Sequence, residues 1–141
     1  IVGGSSREGK SLKENFTRKL PAYKRLCDAV ETKVKALGYL RGIDGRELPA
    51  RSPHSALNLL LQSAGAVIMK QALIEFVDIA SRPYEMHANV HDEVQFSCEV
   101  DDADILGKEF VLAIKMAGET LNFKCPLDGE YNVGANWKET H

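Results

Sequence analysis

His91-Asp92-Glu93 sets a histidine and two carboxylates side by side between two strand-like runs. On the far side Val94, Phe96 and Cys98 alternate with Glu93, Gln95 and Ser97, the period-two pattern of a strand with one apolar face. Successive side chains on a strand point to opposite faces, so adjacent acids there do not normally share a metal. At a tight turn the alternation breaks, and an aspartate stands exposed at a rigid tip. That geometry suits Mg²⁺, which takes few protein ligands and keeps waters or substrate oxygens. An ordinary polar hairpin turn also favours Asp, and the tripeptide alone leaves both readings open. A metal-dependent hydrolase using Asp92, Glu93 and either His87 or His91 is a further reading.

A second set of chemistry-bearing residues lies on the longest predicted helix, capped by Ser52, with Pro53 in its first turn, and running to about Ile79. From Ala56 to Met69 it is apolar nearly all round, which predicts burial. His54, Asn58 and Gln62 stand four residues apart, stacked along one side. Buried hydrogen-bonding groups need partners. Amides can donate to the adenine N3 and thymine O2 acceptors of the DNA minor groove, where little sequence information is displayed. Backbone or other side chains could satisfy them equally.

The elements that must position these groups follow from local signals. Ser5 to Glu8 has capping-box spacing, and Leu12, Phe16 and Leu20 follow at helical steps. Pro21 suits the first turn of a second helix, with Tyr23, Leu26, Val30, Val34 and Leu37 on one side and Gly38 as its stop. Tyr39 to Leu48 predicts a hairpin turning near Asp44-Gly45. Asp101 or Asp102 is expected to cap another helix, packed through Ile105, Phe110, Leu112, Ile114 and Met116. Residues 121–141 read as short strand and loop punctuated by Gly129 and Gly134. Helices packed on small antiparallel hairpins give an α+β class.

Composition sets bounds on function. Hydrophobic content of 44% and charged content of 27% are those of a globular protein. No uninterrupted apolar run approaches the ~18 residues of a membrane span and no leader opens the sequence, so a cytoplasmic location without membrane contact is expected. Ile1-Val2-Gly3-Gly4 reads as the middle of a longer chain. Cys27, Cys98 and Cys125 lack the close spacing of a zinc site or disulfide framework. Residues 1–51 hold 12 Lys/Arg against 6 Asp/Glu, and residues 52–141 hold 6 against 14. A basic part beside an acidic part fits a protein that meets phosphates with one and cations with the other, and equally fits uneven solvated faces.

The sequence from Arg51 to Ala66 resembles the long palm helix of family A DNA polymerases, nearest to the bacteriophage replicative form. Val90-His91-Asp92-Glu93-Val94 is similar to the family's third polymerase motif. Gly42 to Arg46 fits the hairpin entering the palm, Ile1-Val2-Gly3 the stretch after the nucleotide-gripping fingers helix, and Asn136-Trp137 with His141 the family's ending. The resemblance implies an end of the fingers over residues 1–38 and a later part of the palm over 39–141. It implies Asp92 as a catalytic Mg²⁺ ligand, Glu93 as a supporting acid and His91 near the primer terminus. Asn58 and Gln62 would contact the minor groove, with Arg51 and His54 also on DNA; cellular relatives carry Arg where His54 stands. Primer-template DNA and a dNTP are the implied partners, along with a preceding part of the polymerase.

Such enzymes use two metals about 3.5–4 Å apart, held between aspartates from two strands. Only Asp92 is present here, and no Asp-x-Ser-x-x-Glu pattern precedes it. The chain alone is therefore expected not to polymerise, to hold Mg²⁺ weakly or not at all, and to self-associate as a dimer through its uncovered apolar surfaces. The competing class is a non-catalytic nucleic-acid-binding module using the basic helices.

Overall fold

The computed structural model describes residues 5–140. By internal contacts the chain divides into two compact units, one formed by residues up to 42 with 46–61, the other by 43–45 with the residues from 62 onward.

The first unit opens with helix α1, Ser6–Lys19. Ser5 Oγ accepts the Glu8 N–H, and Glu8 Oε2 accepts the Ser5 N–H at 2.6 Å, completing the expected capping box. That backbone hydrogen bond, with the Ser5 hydroxyl, holds the Glu8 carboxyl below its usual range. Helix α2, Pro21–Leu37, has Pro at its start and stops at Gly38, whose φ of 78° is left-handed. Strands β1, Tyr39–Arg41, and β2, Glu47–Pro49, pair antiparallel around a turn with Gly45 at φ 83°. Val30, Val34, Leu40, Leu48 and Ala56 form this unit's core. Leu12, Phe16, Leu20, Tyr23, Leu26 and Leu37 are exposed, so the apolar stripe read from α1 and α2 is buried only around Val30 and Val34.

Ser52 accepts the Ser55 N–H at 3.3 Å and starts a short 3-10 turn, which runs into α3, Ala56–Ile79. The expected burial of α3 is corrected: only Ala56, Met69, Ala72 and Phe76 are buried, and Leu61, Ile74 and Val77 stand 58–68% exposed. The few residues that pack against α3 within each unit offer too little surface to cover a helix that is apolar all round. The reading that nothing here is long and apolar enough to span a membrane is corrected too. Within residues 53–79 an 18-residue stretch has a mean hydropathy of 1.3, because apolar residues outweigh the interspersed Asn58, Gln62, Lys70 and Gln71.

In the second unit β3, Glu85–Val90, pairs antiparallel with β4, Glu93–Ser97, and a bulge between Met86 and Ala88 leaves His87 as the extra residue. Helix α4, Ala103–Thr120, follows, and α5, Trp137–Thr140, ends the described chain. Asp102 stands at the N-cap of α4 without a capping bond; its carboxylate pairs with Arg82 at 3.1 Å instead. The inward face of α4 carries Leu106, Phe110, Ala113 and Ala117, while Leu112 is half exposed and Ile105 38% exposed. Among the described residues no strand forms from 121 onward; the expected strand there is replaced by loop and α5.

The second core centres on Phe76, whose ring lies 4.8 Å from Tyr84, 5.1 Å from Phe110 and 5.4 Å from Phe96. These rings lock α3, α4 and β4 together, with Met69, Val94 and Cys98 around them. Burial, then the Asp102 and Glu99 charges, push the Cys98 thiol up, so it remains a protonated packing group. Phe76→Ala is expected to cost about 3–5 kcal/mol of stability. Denaturant unfolding followed by far-UV circular dichroism checks this, and a loss below about 1 kcal/mol would remove Phe76 from the centre of the core.

Candidate functional site

The β3–β4 hairpin closes with the two residues His91 and Asp92, since Val90 pairs directly with Glu93. A two-residue connection needs backbone of unusual handedness to match strand twist. His91 provides it with φ 57°, the only positive value of the pair. Histidine is among the non-glycine residues that tolerate this region. Asp92, next along, is exposed at the tip and has no hydrogen-bond or ion-pair partner among the described residues.

The alternation read from sequence holds along β4. Val94 and Phe96 face the aromatic core, and Glu93 and Gln95 take the opposite face. That opposite face is not bare. Glu93 Oε1 accepts the indole N–H of Trp137 at 2.9 Å and a hydrogen bond from the Gln95 amide. Thr140 Oγ1 reaches Gln95 Oε1 at 3.4 Å. Gln95 and Thr140 were not anticipated from the sequence: a glutamine on a strand's polar face reads as solvated, and its partner lies 45 residues away. His87, on the bulge, meets Ser97 Oγ at 2.7 Å.

Of the other candidates, Arg51, His54 and Asn58 belong to the first unit and Gln62 to the second. Asn58 and Gln62 occupy successive turns of α3, both exposed, and neither amide has a protein partner among the described residues. Their expected burial is thus corrected along with that of the helix, and water or a ligand is left to satisfy them. The His54 ring, 90% exposed, lies 3.8 Å from Glu31, and Arg51 is exposed. A groove of about 550 Å³ along α4, lined by Lys108, Leu112, Lys115 and Tyr131 among others, holds none of these residues. His141 lies outside the described residues.

Among the described residues no three His, Cys, Asp or Glu side chains gather as a metal set. The chain's own donors therefore fit one ligand of a Mg²⁺ site, Asp92, and not a whole site. The hydrolase grouping of Asp92, Glu93 and His87 or His91 is likewise not assembled. What the arrangement offers chemically is a single exposed carboxylate at a turn of fixed shape, flanked by a structurally engaged acid.

The family model of DNA polymerase family A matches residues 2–139. The DNA-directed DNA polymerase of Escherichia phage Phieco32 is 38% identical across the whole chain, which spans 24% of that protein. Those of Enterobacteria phage T3 and Escherichia phage T7 are 36% and 34% identical, again across the whole chain and 23% of each relative. The chain thus spans about a quarter of the length of these relatives. In fold it is similar to the POL domain of Pol1 from M. smegmatis, solved in complex with DNA primer-template and dNTP. The TM-score is 0.68 at 22% identity, over 80% of this chain and 23% of that one.

Because His91 holds the left-handed position, His91→Gly should leave stability equal to wild type or raise it by up to about 1 kcal/mol. Thermal unfolding measures this; a clear loss of stability would contradict the turn geometry.

Proposed function

Because the chain belongs to DNA polymerase family A, we propose that it supplies part of a DNA-directed DNA polymerase catalysing template-directed nucleotidyl transfer in DNA replication. Residues 1–38 would belong to the end of the fingers and 39–141 to the palm. Asp92 is the carboxylate that this chain contributes to a two-Mg²⁺ site, the second aspartate coming from the remainder of the catalytic domain. Two Mg²⁺ ions at such a site activate the primer hydroxyl and clamp the triphosphate. His91 stands at the primer terminus. Asn58 and Gln62 donate to minor-groove acceptors that every base pair shows in similar form, so they sense duplex geometry rather than sequence. Arg51 and His54 meet the nucleic acid beside them. Primer-template DNA and dNTP are the partners, and the setting is the cytoplasm.

The observation that carries this reading is the two-residue tip with Asp92 exposed and unengaged. A carboxylate in that position has oxygens free for a cation, as nucleotidyl transfer requires. The exposed, unpartnered amides of Asn58 and Gln62 support the DNA contact independently. The test is primer extension by a polymerase carrying this chain with the rest of the catalytic domain. Asp92→Asn should lower kcat at least about a thousandfold, a loss of roughly 4 kcal/mol of transition-state stabilisation. Gln62→Ala or Asn58→Ala should weaken primer-template binding by about fivefold, the worth of one hydrogen bond, without changing sequence preference. Extension undiminished by Asp92→Asn would end the assignment.

Alone, the chain leaves Leu61, Ile74 and Val77 in water, a surface that a second copy can cover. Sedimentation at tens of micromolar should give twice the 15.6 kDa monomer mass. A single monomeric species would contradict the dimer.

A further inference from the structure

An aspartate at a hairpin tip can hold a cation in place only as firmly as the hairpin itself is held. Within the described residues the β3–β4 ribbon has two strands, and an isolated two-stranded hairpin is marginally stable. The core secures one face of β4 through Val94 and Phe96. The opposite face is secured by the end of the described chain. Trp137 Nε1 donates to Glu93 Oε1 at 2.9 Å, the Gln95 amide donates to the same oxygen, and Thr140 Oγ1 reaches Gln95.

The short helix α5 that presents Trp137 and Thr140 is itself braced. Glu139 Oε2 accepts the Ala135 N–H and Glu139 Oε1 accepts the Asn136 amide, both at 2.8 Å. Asn132 reaches the Thr140 carbonyl at 3.3 Å. Gly134 allows the close approach, since a Cβ there would lie 2.7 Å from the Glu139 Cβ.

We propose that the Trp137–Thr140 turn is a strut that positions the Asp92 hairpin, with Trp137 and Glu93 as positioning residues. Glu93 acts by accepting the indole hydrogen bond through Oε1. An oxygen already taking two N–H donors has its lone pairs engaged, and hydrogen bonds to a carboxylate are the stronger kind. Glu93 is the residue next to Asp92, so fixing its side chain fixes the strand end one residue from the tip. The proposal rests on the polymerase reading only for its kinetic consequence.

Residue-resolved amide exchange on the chain itself tests the strut. Trp137→Phe keeps the ring and removes the donor; it should speed exchange of the β3–β4 amides beside the tip about tenfold and leave α4 unchanged. Glu93→Gln keeps a carbonyl acceptor and should stay within about twofold of wild type, whereas Glu93→Ala should behave as Trp137→Phe does. In the assembled polymerase, Trp137→Phe should lower kcat about tenfold with the KM for dNTP nearly unchanged, and Glu93→Gln should lose no more than that. Unchanged hairpin exchange in Trp137→Phe would overturn the strut. So would faster exchange throughout α4, which marks general packing, or a Glu93→Gln enzyme as inactive as Asp92→Asn, which marks a metal ligand. If the exchange pattern holds while no wild-type polymerase activity is found, the strut stands and the polymerase reading falls.

Discussion

Strand β4 carries the second unit because both of its faces are used. Its inward residues, Val94 and Phe96, enter a cluster in which Phe76 is 2% exposed. Its outward residues, Glu93 and Gln95, are met by Trp137 and Thr140. A strand slip of one residue would exchange the two sets, placing carboxylate and amide among aromatic rings and phenylalanine against an indole N–H. Register is therefore doubly specified. The His91-Asp92 turn inherits that specification, since a two-residue connection leaves no slack between Val90 and Glu93.

That rigidity bears on metal chemistry. Mg²⁺ demands near-ideal octahedral geometry and sheds water reluctantly, so a ligand oxygen that wanders forfeits much of its worth. A tip whose backbone is fixed by handedness at His91 and whose strand is gripped on two sides can present one oxygen with little entropy left to lose. Around it, among the described residues, no three His, Cys, Asp or Glu side chains gather as a metal set. This agrees with a chain that spans about a quarter of its polymerase relatives.

Much of the fold was legible because its signals are local. The capping box of Ser5 and Glu8, Pro21 and Gly38 bounding α2, Ser52-Pro53 before α3 and the tight turn at His91-Asp92 all stand in the structure. Each depends on neighbours within four residues. What sequence could not give depends on partners far along the chain. Asp102 has capping chemistry, yet Arg82 takes its carboxylate. The buried face of α4 includes Gly107 and Gly118, where Tyr131 and Leu127 lie so close that a Cβ on either glycine would crowd them; that phase of the helix cannot be read without knowing where residues 127 and 131 pass. The polar face of β4 gave no hint of α5 for the same reason. Asp92, Asn58 and Gln62 could be singled out as candidates from residue type and spacing, while the contacts of Gln95 and Thr140 emerge only from packing.

The two adjacent acids show why composition alone misleads about a site. Glu93 and Asp92 have nearly the same chemistry, and composition by itself does not divide labour between them; the family resemblance does, with Asp92 as the implied metal ligand and Glu93 as the supporting acid. Position divides it: Glu93 is the first residue of a strand and half-buried, so its charge needs donors, and Trp137 and Gln95 supply them. Asp92 lies in the turn, where water solvates it and no neighbouring donor competes for its oxygens. A carboxylate stabilised by fixed donors gains less from a cation than one that only water solvates. The solvated one exchanges only water. Under the proposed function, the acid with fewer fixed donors in the structure is the one assigned to the metal.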